Sequence, residues 1–435
     1  MSNDTSITRV KARQVWSRRG HPGVEAVVTT ASGATGTAIV TAGTSVGTHE
    51  VNFAYDEGEG WMGKDWKGKG VGRAAAIIEQ VIAPELIGMD AADQREIDSA
   101  LLSMDDTPGK TKLGGNATAS VSAAVLRAGS NALGVPLYRH IGGVNARTLP
   151  VPGVLMFLGG RRYQGSKKSG TKPTYSLMCY GFDSFAEASH AAYWLFDEWR
   201  KIMVEKYAVE SIAIPDQHMV VSPGVIRHDR ELWDELVNLI ARHGCEGKVG
   251  IQADVAASCY FHDDIGKFVG LFTDDAKSRD EMFRWYEEMV DNYPFVIIED
   301  PLDEDDWEGH AILARETGIE IVGDDLFATN PERVKTGIAT GACNAVLLKV
   351  NQIGTISEAF DMVELAYGGG YAVMPCESRG EGPAIADYCV GLGTGHLREG
   401  AIGYRGNRFL EIEAELGDRA RFAGRSGIKL SRTDR

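Results

Sequence analysis

No stretch of this 435-residue chain approaches the roughly 20 consecutive apolar residues of a membrane-spanning helix. The opening MSNDTSITRVKARQ lacks the apolar core of a secretory signal, so no membrane or export step is expected. Cysteine is sparse. Cys179, Cys245, Cys259, Cys343, Cys376 and Cys389 show neither CxxC nor paired spacing, which argues against a disulfide framework. They read as reduced thiols in a cytoplasmic protein. Positive charge is also short, with 45 Lys and Arg against 61 Asp and Glu and a net charge of −16. A nucleic-acid partner needs a basic face, so that class is set aside. Internal repeats and long low-complexity tracts are missing. The 43% apolar content is what a soluble globular protein of this length uses to build a core.

What is present changes along the chain. Residues 6–53 alternate apolar and polar, as in RVKARQVW and GVEAVVTT, with Gly33 and Gly36 as punctuation; this is a strand meander. From Lys69 to Gly134 the pattern turns helical and rich in alanine. Strands followed by helices indicate a small α+β domain over residues 1–145. Pro150-Val151-Pro152 then marks entry into a second unit, residues 146–435. Residues 160–175 and 214–224 read as loops, and the tail SGIKLSRTDR as frayed.

In the second unit, five strand-like segments each end in a residue able to do chemistry. They are Val249–Asp254, Phe295–Glu299, Ile321–Asp324, Val346–Lys349 and Tyr371–Glu377. Their tips are 45, 25, 25 and 28 residues apart, about the length of a strand, a helix and two short loops. In a (β/α) barrel consecutive strand ends share one rim, where active sites form. Asp254, Glu299 and Asp324 would converge there and suit a hard divalent cation such as Mg²⁺. Lys349 beside them suits a base for a carbon acid. A single Asp at a strand end is usually a turn residue or a helix cap, but four such tips at successive periods are not explained that way.

The same strings carry a family resemblance. VIIEDPLDEDDW, IVGDDLFATNP, LLKVNQIGTISEA and VGIQADVAAS resemble the enolase family. So do VKARQVWSRRGHPGVEA, TAGTSVGTHE, GKGVGRA, TKLGGNATASVSAAVLRA, LYRHIGG, IADYCVGL and ELGDRARFAG, in family order through the whole chain. The resemblance implies an α/β protein, with an N-terminal α+β domain followed by a modified (β/α)8 TIM-type barrel, and a homodimer or higher homo-oligomer. By position Asp254, Glu299 and Asp324 match the ligands of the structural Mg²⁺. Lys349 matches the base that removes a proton α to a carboxylate. Ser45 matches the serine of a mobile loop that reaches a second, substrate-borne Mg²⁺. The glycine-rich stretch around Ser45 lacks the Lys-Ser/Thr of a phosphate-binding P-loop, and His49 and Glu50 after it read as a solvated loop end.

Departures from the family lie on the other side of the site. Gln217 stands where the family keeps an acidic glutamate and has no acidic proton to give. Arg162 stands near a family histidine, Ser176 near a glutamate, Glu377-Ser378-Arg379 where the family has His-Arg-Ser, and Arg398 for its final lysine. Arg161 to Lys172 reads RRYQGSKKSGTK, with five cations and no acid. Arginine offers bidentate contact to phosphate-like anions. Arg162, Glu377, Ser378, Arg379 and Arg398 are therefore expected to bind a small anionic substrate, a phospho- or phosphonocarboxylate. The combination leads to an expected activity of the carboxyphosphonoenolpyruvate synthase type. A phosphopyruvate hydratase is the second reading, and a non-catalytic enolase relative the third.

Overall fold

The computed structural model describes residues 4–17, 20–43, 46–56, 70–157, 162–167, 172–209, 219, 221 and 223–431. Ser45 and Gln217 lie outside them, as do Arg161 and residues 168–171 of the basic loop.

The alternating N-terminal segments form an antiparallel meander of β1 (Ile7–Trp16), β2 (Pro22–Thr30) and β3 (Thr35–Thr41), in that order. Val24, Ala26, Val28, Ala38 and Val40 are buried. Helix α1 (Gln94–Met104) packs against α2 (Gly115–Leu133), which packs on this sheet. Helix α2 lies so close to β3 that a Cβ at Gly36 would stand 2.1 Å from the Ala124 carbonyl oxygen. Only glycine fits there. Asp98 of α1 is fully buried and joins this unit to the rest. Its carboxylate accepts hydrogen bonds from Ser122 Oγ (2.6 Å) and from the Ser357 N–H (2.8 Å) in the first turn of α3 (Ile356–Gly368). The first turn of a helix has free N–H groups, so a carboxylate is a natural partner.

The second unit is built on eight strands. They are β4 (Val151–Phe157), β5 (Thr174–Cys179), β6 (Val249–Asp254), β7 (Phe295–Glu299), β8 (Glu320–Gly323), β9 (Ala345–Leu348), β10 (Ala372–Pro375) and β11 (His396–Leu397). Their order is β10-β9-β8-β7-β6-β5-β4-β11, and the two edge strands lie side by side, nearly closing a barrel. Strand β5 runs antiparallel to both neighbours, while the other pairings are parallel. Strands β5 to β9 are buried throughout, which explains their nearly unbroken apolar runs.

The expected strands are found, with shifted ends. Strands β8 and β9 stop one residue before Asp324 and Lys349. Strand β10 stops at Pro375, because the chain leaves the barrel there and the Arg379 carbonyl accepts the Thr41 N–H of β3 at 2.8 Å. The expected loop 160–175 also gives up Thr174 and Tyr175 to β5.

The tail expectation needs correction up to Ser431. Ile428 is buried, the Lys429 N–H donates to Glu320 Oε2 (2.9 Å), and the Gly427 carbonyl contacts His396 Nδ1 (2.8 Å). The segment covers a buried ion pair, His396 Nε2 to Glu320 Oε1 at 2.6 Å. That pair is close but off-axis as a hydrogen bond, so its attraction is mainly electrostatic. Burial alone would lower the His396 pKa, but Glu320 raises it overall. A raised folded-state value gives stability that is fully present below the unfolded value of about 6.5 and is lost as pH rises through the folded value. The melting temperature of the wild type should therefore carry a component that falls across that window. A His396→Gln/Glu320→Gln double variant should lack it. The same slope of melting temperature against pH in both proteins would show that the pair does not titrate on unfolding.

Candidate active site

Six successive strand ends meet on one rim. Asp254 ends β6 and Glu299 ends β7. Asp324, Lys349 and Arg398 directly follow β8, β9 and β11, and Glu377 lies two residues beyond β10. All six are buried. Charge on this rim is matched locally. Arg398 Nη1 donates to Asp254 and to both oxygens of Glu299 (2.9 and 3.0 Å), and its Nη2 reaches Cys376 Sγ at 2.7 Å. Lys172, the last residue of the basic loop, also donates to Asp254. Lys349 donates to Asp324, whose other oxygen accepts from Gln352 Nε2 at 2.8 Å.

The electrostatics follow from burial and crowding. Burial pushes Glu299 up to about 7; Arg398 opposes the shift, while Asp254 and Asp324 reinforce it. Burial would also raise Asp324, but the Lys349 ammonium holds it down to about 2. Burial would lower Lys349, but Asp324 raises it overall. Asp254, Glu299 and Asp324 offer oxygen donors only, the chemistry a hard divalent cation takes. Arg398 bridges the first two, however, Lys349 holds the third, and their oxygens do not gather within 4.8 Å of one another.

The structure adds partners that sequence reasoning missed. The carboxylates of Asp300, Asp324 and Asp325 can bring one oxygen each within 4.8 Å of one another. Burial pushes Asp300 well above the carboxylate range and Asp325 up to about 8, and neighbouring carboxylates add to both shifts. The doublets Glu299-Asp300 and Asp324-Asp325, each closing an apolar run, were the available signal. The solvated reading is corrected for Glu50, whose side chain is buried and holds Arg379 through two bonds of 2.7 Å, while His49 stays partly exposed. Thr48 donates twice to Glu304 at 2.8 Å, and His49 meets Asp305 at 2.9 Å. The loop from the first unit is thus docked on the barrel by charge. Glu377 accepts from Tyr404 Oη (2.9 Å) and pairs with Arg405 (3.4 Å). Ser378 lines a cleft of about 310 Å³ with Trp16, Ile39 and Tyr404. Ser176 lies inside β5, its hydroxyl without a hydrogen-bond partner among the described residues.

Arg162 sits elsewhere. Its guanidinium is buried against Asp229, with Nε to Oδ1 at 3.0 Å and Nη2 to Oδ2 at 2.7 Å, and it also donates to the Pro173 carbonyl. Tyr163 and Tyr175 donate to the same Asp229 carboxylate at 2.9 and 2.7 Å. This arrangement gives no support to a substrate contact. It is a buried ion pair that anchors the start of the basic loop. Removing one partner of such a pair costs about 3–5 kcal/mol. Arg162→Ala should fall at the lower end, because the two tyrosine hydroxyls remain, and chemical denaturation would measure it. Unchanged stability with weakened binding of an anionic substrate would instead assign Arg162 to the substrate.

A family model described as "Enolase, N-terminal domain" matches residues 7–141, and one described as "Enolase, C-terminal TIM barrel domain" matches residues 146–431. The chain is 39% identical to a Pyrococcus furiosus protein named enolase, over 99% of this chain and 100% of the relative. It is 39% identical to the enolase of Methanococcus aeolicus, over 96% and 97%, and 37% identical to that of Methanocaldococcus jannaschii, over 98% and 99%. This overturns the expected activity of the carboxyphosphonoenolpyruvate synthase type. The end-to-end similarity runs to proteins named enolase and favours the second reading. No helix among the described residues is long and apolar enough to cross a membrane. With both domain models matched and relatives similar along their full length, the chain belongs to the enolase family and is a lyase of that superfamily acting on a small anionic substrate.

Proposed function

We propose that this protein is a Mg²⁺-dependent phosphopyruvate hydratase, interconverting 2-phosphoglycerate with phosphoenolpyruvate and water. The observation that carries the reading is Lys349 lying against Asp324 on a rim that also holds Asp254 and Glu299. Asp254, Glu299 and Asp324 would hold the metal, and Ser45 a second ion. A Mg²⁺ bound there supplies positive charge that stabilises the substrate carboxylate as it gains electron density. Lys349 would take the proton from the carbon next to that carboxylate in its neutral form, which a cation held by Asp324 would favour by replacing the lysine as the partner of that carboxylate. The bond to the hydroxyl of the next carbon then breaks as the carbon–carbon double bond forms, the hydroxide leaving as water with a proton supplied from solvent, and Lys349 returns its own proton to solvent after product release. Gln217 can orient that hydroxyl by hydrogen bonding but cannot act as the acid. Arg379 and Arg398, with Glu377 and Ser378, orient the anionic end; both guanidiniums are already held by carboxylates, which limits their motion. Lys349 itself is buried among the strand ends. A division at residue 145/146, a homo-oligomeric state and a cytoplasmic setting belong to the same proposal.

The direct test follows phosphoenolpyruvate formation from 2-phosphoglycerate by ultraviolet absorbance. Turnover should need Mg²⁺ and stop with EDTA. Lys349→Ala should lower it by about 10²–10⁴-fold, the usual range for losing a general base, and should abolish deuterium exchange at the substrate α-carbon. No turnover and no exchange in the wild type at any Mg²⁺ concentration would refute the function. Asp254→Ala should remove the Mg²⁺-dependent rise in melting temperature, since a ligand stabilises only the state that binds it. A full Mg²⁺ response in that variant would exclude Asp254 as a ligand.

A further inference from the structure

We propose that Asp300 is a positioning residue that sets the spacing of all three metal-type carboxylates. The inference rests on the metal reading above. Asp300 directly follows Glu299 and is buried, yet among the described residues no cation pairs with it. Its carboxylate is used on backbone instead. The Asp324 N–H donates to Oδ1 at 2.9 Å and the Asp325 N–H to Oδ2 at 2.8 Å. One side chain thus grips two consecutive amides at the end of β8, where Asp324 leaves the strand.

The Asp300 backbone ties the other neighbours. Its N–H donates to the Val322 carbonyl at 2.9 Å, and its carbonyl accepts from the Ala257 N–H at 3.1 Å. The Glu299 carbonyl accepts from the Val255 N–H at 3.0 Å. Residues 299 and 300 therefore stitch the segment after Asp254 on one side to the segment carrying Asp324 on the other. Asp300 adopts φ of 44°, a left-handed conformation that non-glycine residues rarely take and that aspartate tolerates better than most. This turn directs the side chain to the neighbouring strand end. Groups that hold metal ligands in place typically change metal affinity by about 10–100-fold when altered.

The test uses Asp300→Asn. Asparagine keeps the size, but its NH2 turns a donor toward one of the two backbone amides. One bond is lost whatever the charge of residue 300. Calorimetric titration with MgCl2 should show affinity about 10–100-fold weaker than wild type, with the metal-free melting temperature within a few degrees. A residue needed only for folding would lower the melting temperature and leave the affinity of the folded protein unchanged, which would overturn the inference. So would Mg²⁺ affinity within twofold of wild type. Absence of Mg²⁺ binding by the wild type would overturn the metal reading and this inference with it. If the variant fails to fold, hydrogen exchange on the wild type decides. The Asp324 and Asp325 amides should exchange as slowly as the β8 core, and rapid exchange there would overturn the inference.

Discussion

A carboxylate buried at a strand end meets positive charge or backbone N–H groups, or is pushed toward its neutral form as Asp325 is, because an isolated charge in a low-dielectric interior costs several kcal/mol. This requirement organises the rim. Asp254 and Glu299 share Arg398, Asp324 meets Lys349, Glu50 meets Arg379, and Glu377 meets Arg405. Asp300 alone of this set is satisfied by backbone amides. The pairs cross the molecule: Glu50 and Arg379 are 329 residues apart, and Asp254 and Arg398 are 144 apart. The ion pairs that make the rim tolerable therefore also hold the loop after β3 on the barrel. Local charge matching and domain packing share one set of contacts.

Much of this was legible in the chain. Strands buried on both faces must be apolar and must end where polarity returns, so FVIIED and AVLLKV announce both a strand and its tip. The period between tips implies the intervening helices, and with it the barrel. The N-terminal alternation gives the meander for the same reason. The illegible parts depend on contacts far apart in sequence. Arg162 and Asp229 are 67 residues apart, and nothing local distinguishes a guanidinium aimed at a ligand from one aimed at a buried aspartate. Composition reports the charge of the Arg-rich loop but not that Arg162 within it is partnered by Asp229. Glu50 looked solvated for the same reason. The tail looked frayed because its polar letters hide Ile428, and because Gly427 and Lys429 act through main-chain groups.

The second aspartates of the two doublets show a subtler limit. A strand alternates its side chains between faces, so adjacent Glu299 and Asp300 should not serve one site. They do because the chain leaves the strand between them. Residues in left-handed conformation occur just after three tips: Ala256 after Asp254, Asp300 after Glu299, and Ala328 with Thr329 after Asp324. Each costs on the order of 1–3 kcal/mol in a non-glycine residue, and persists only where surrounding bonds fix it. Those bonds are present. The Ala328 N–H donates to the Asp324 carbonyl at 2.7 Å, the Ala257 N–H to the Asp300 carbonyl at 3.1 Å, and Thr329 Oγ1 accepts the Lys349 N–H at 3.0 Å. These turns redirect the chain just past the tips of β6, β7 and β8, where the side chains of separate βα units share one volume. The convergence that makes metal and proton chemistry feasible is therefore maintained against local backbone preference. A reading based on local preference identifies the tips but cannot give their final arrangement.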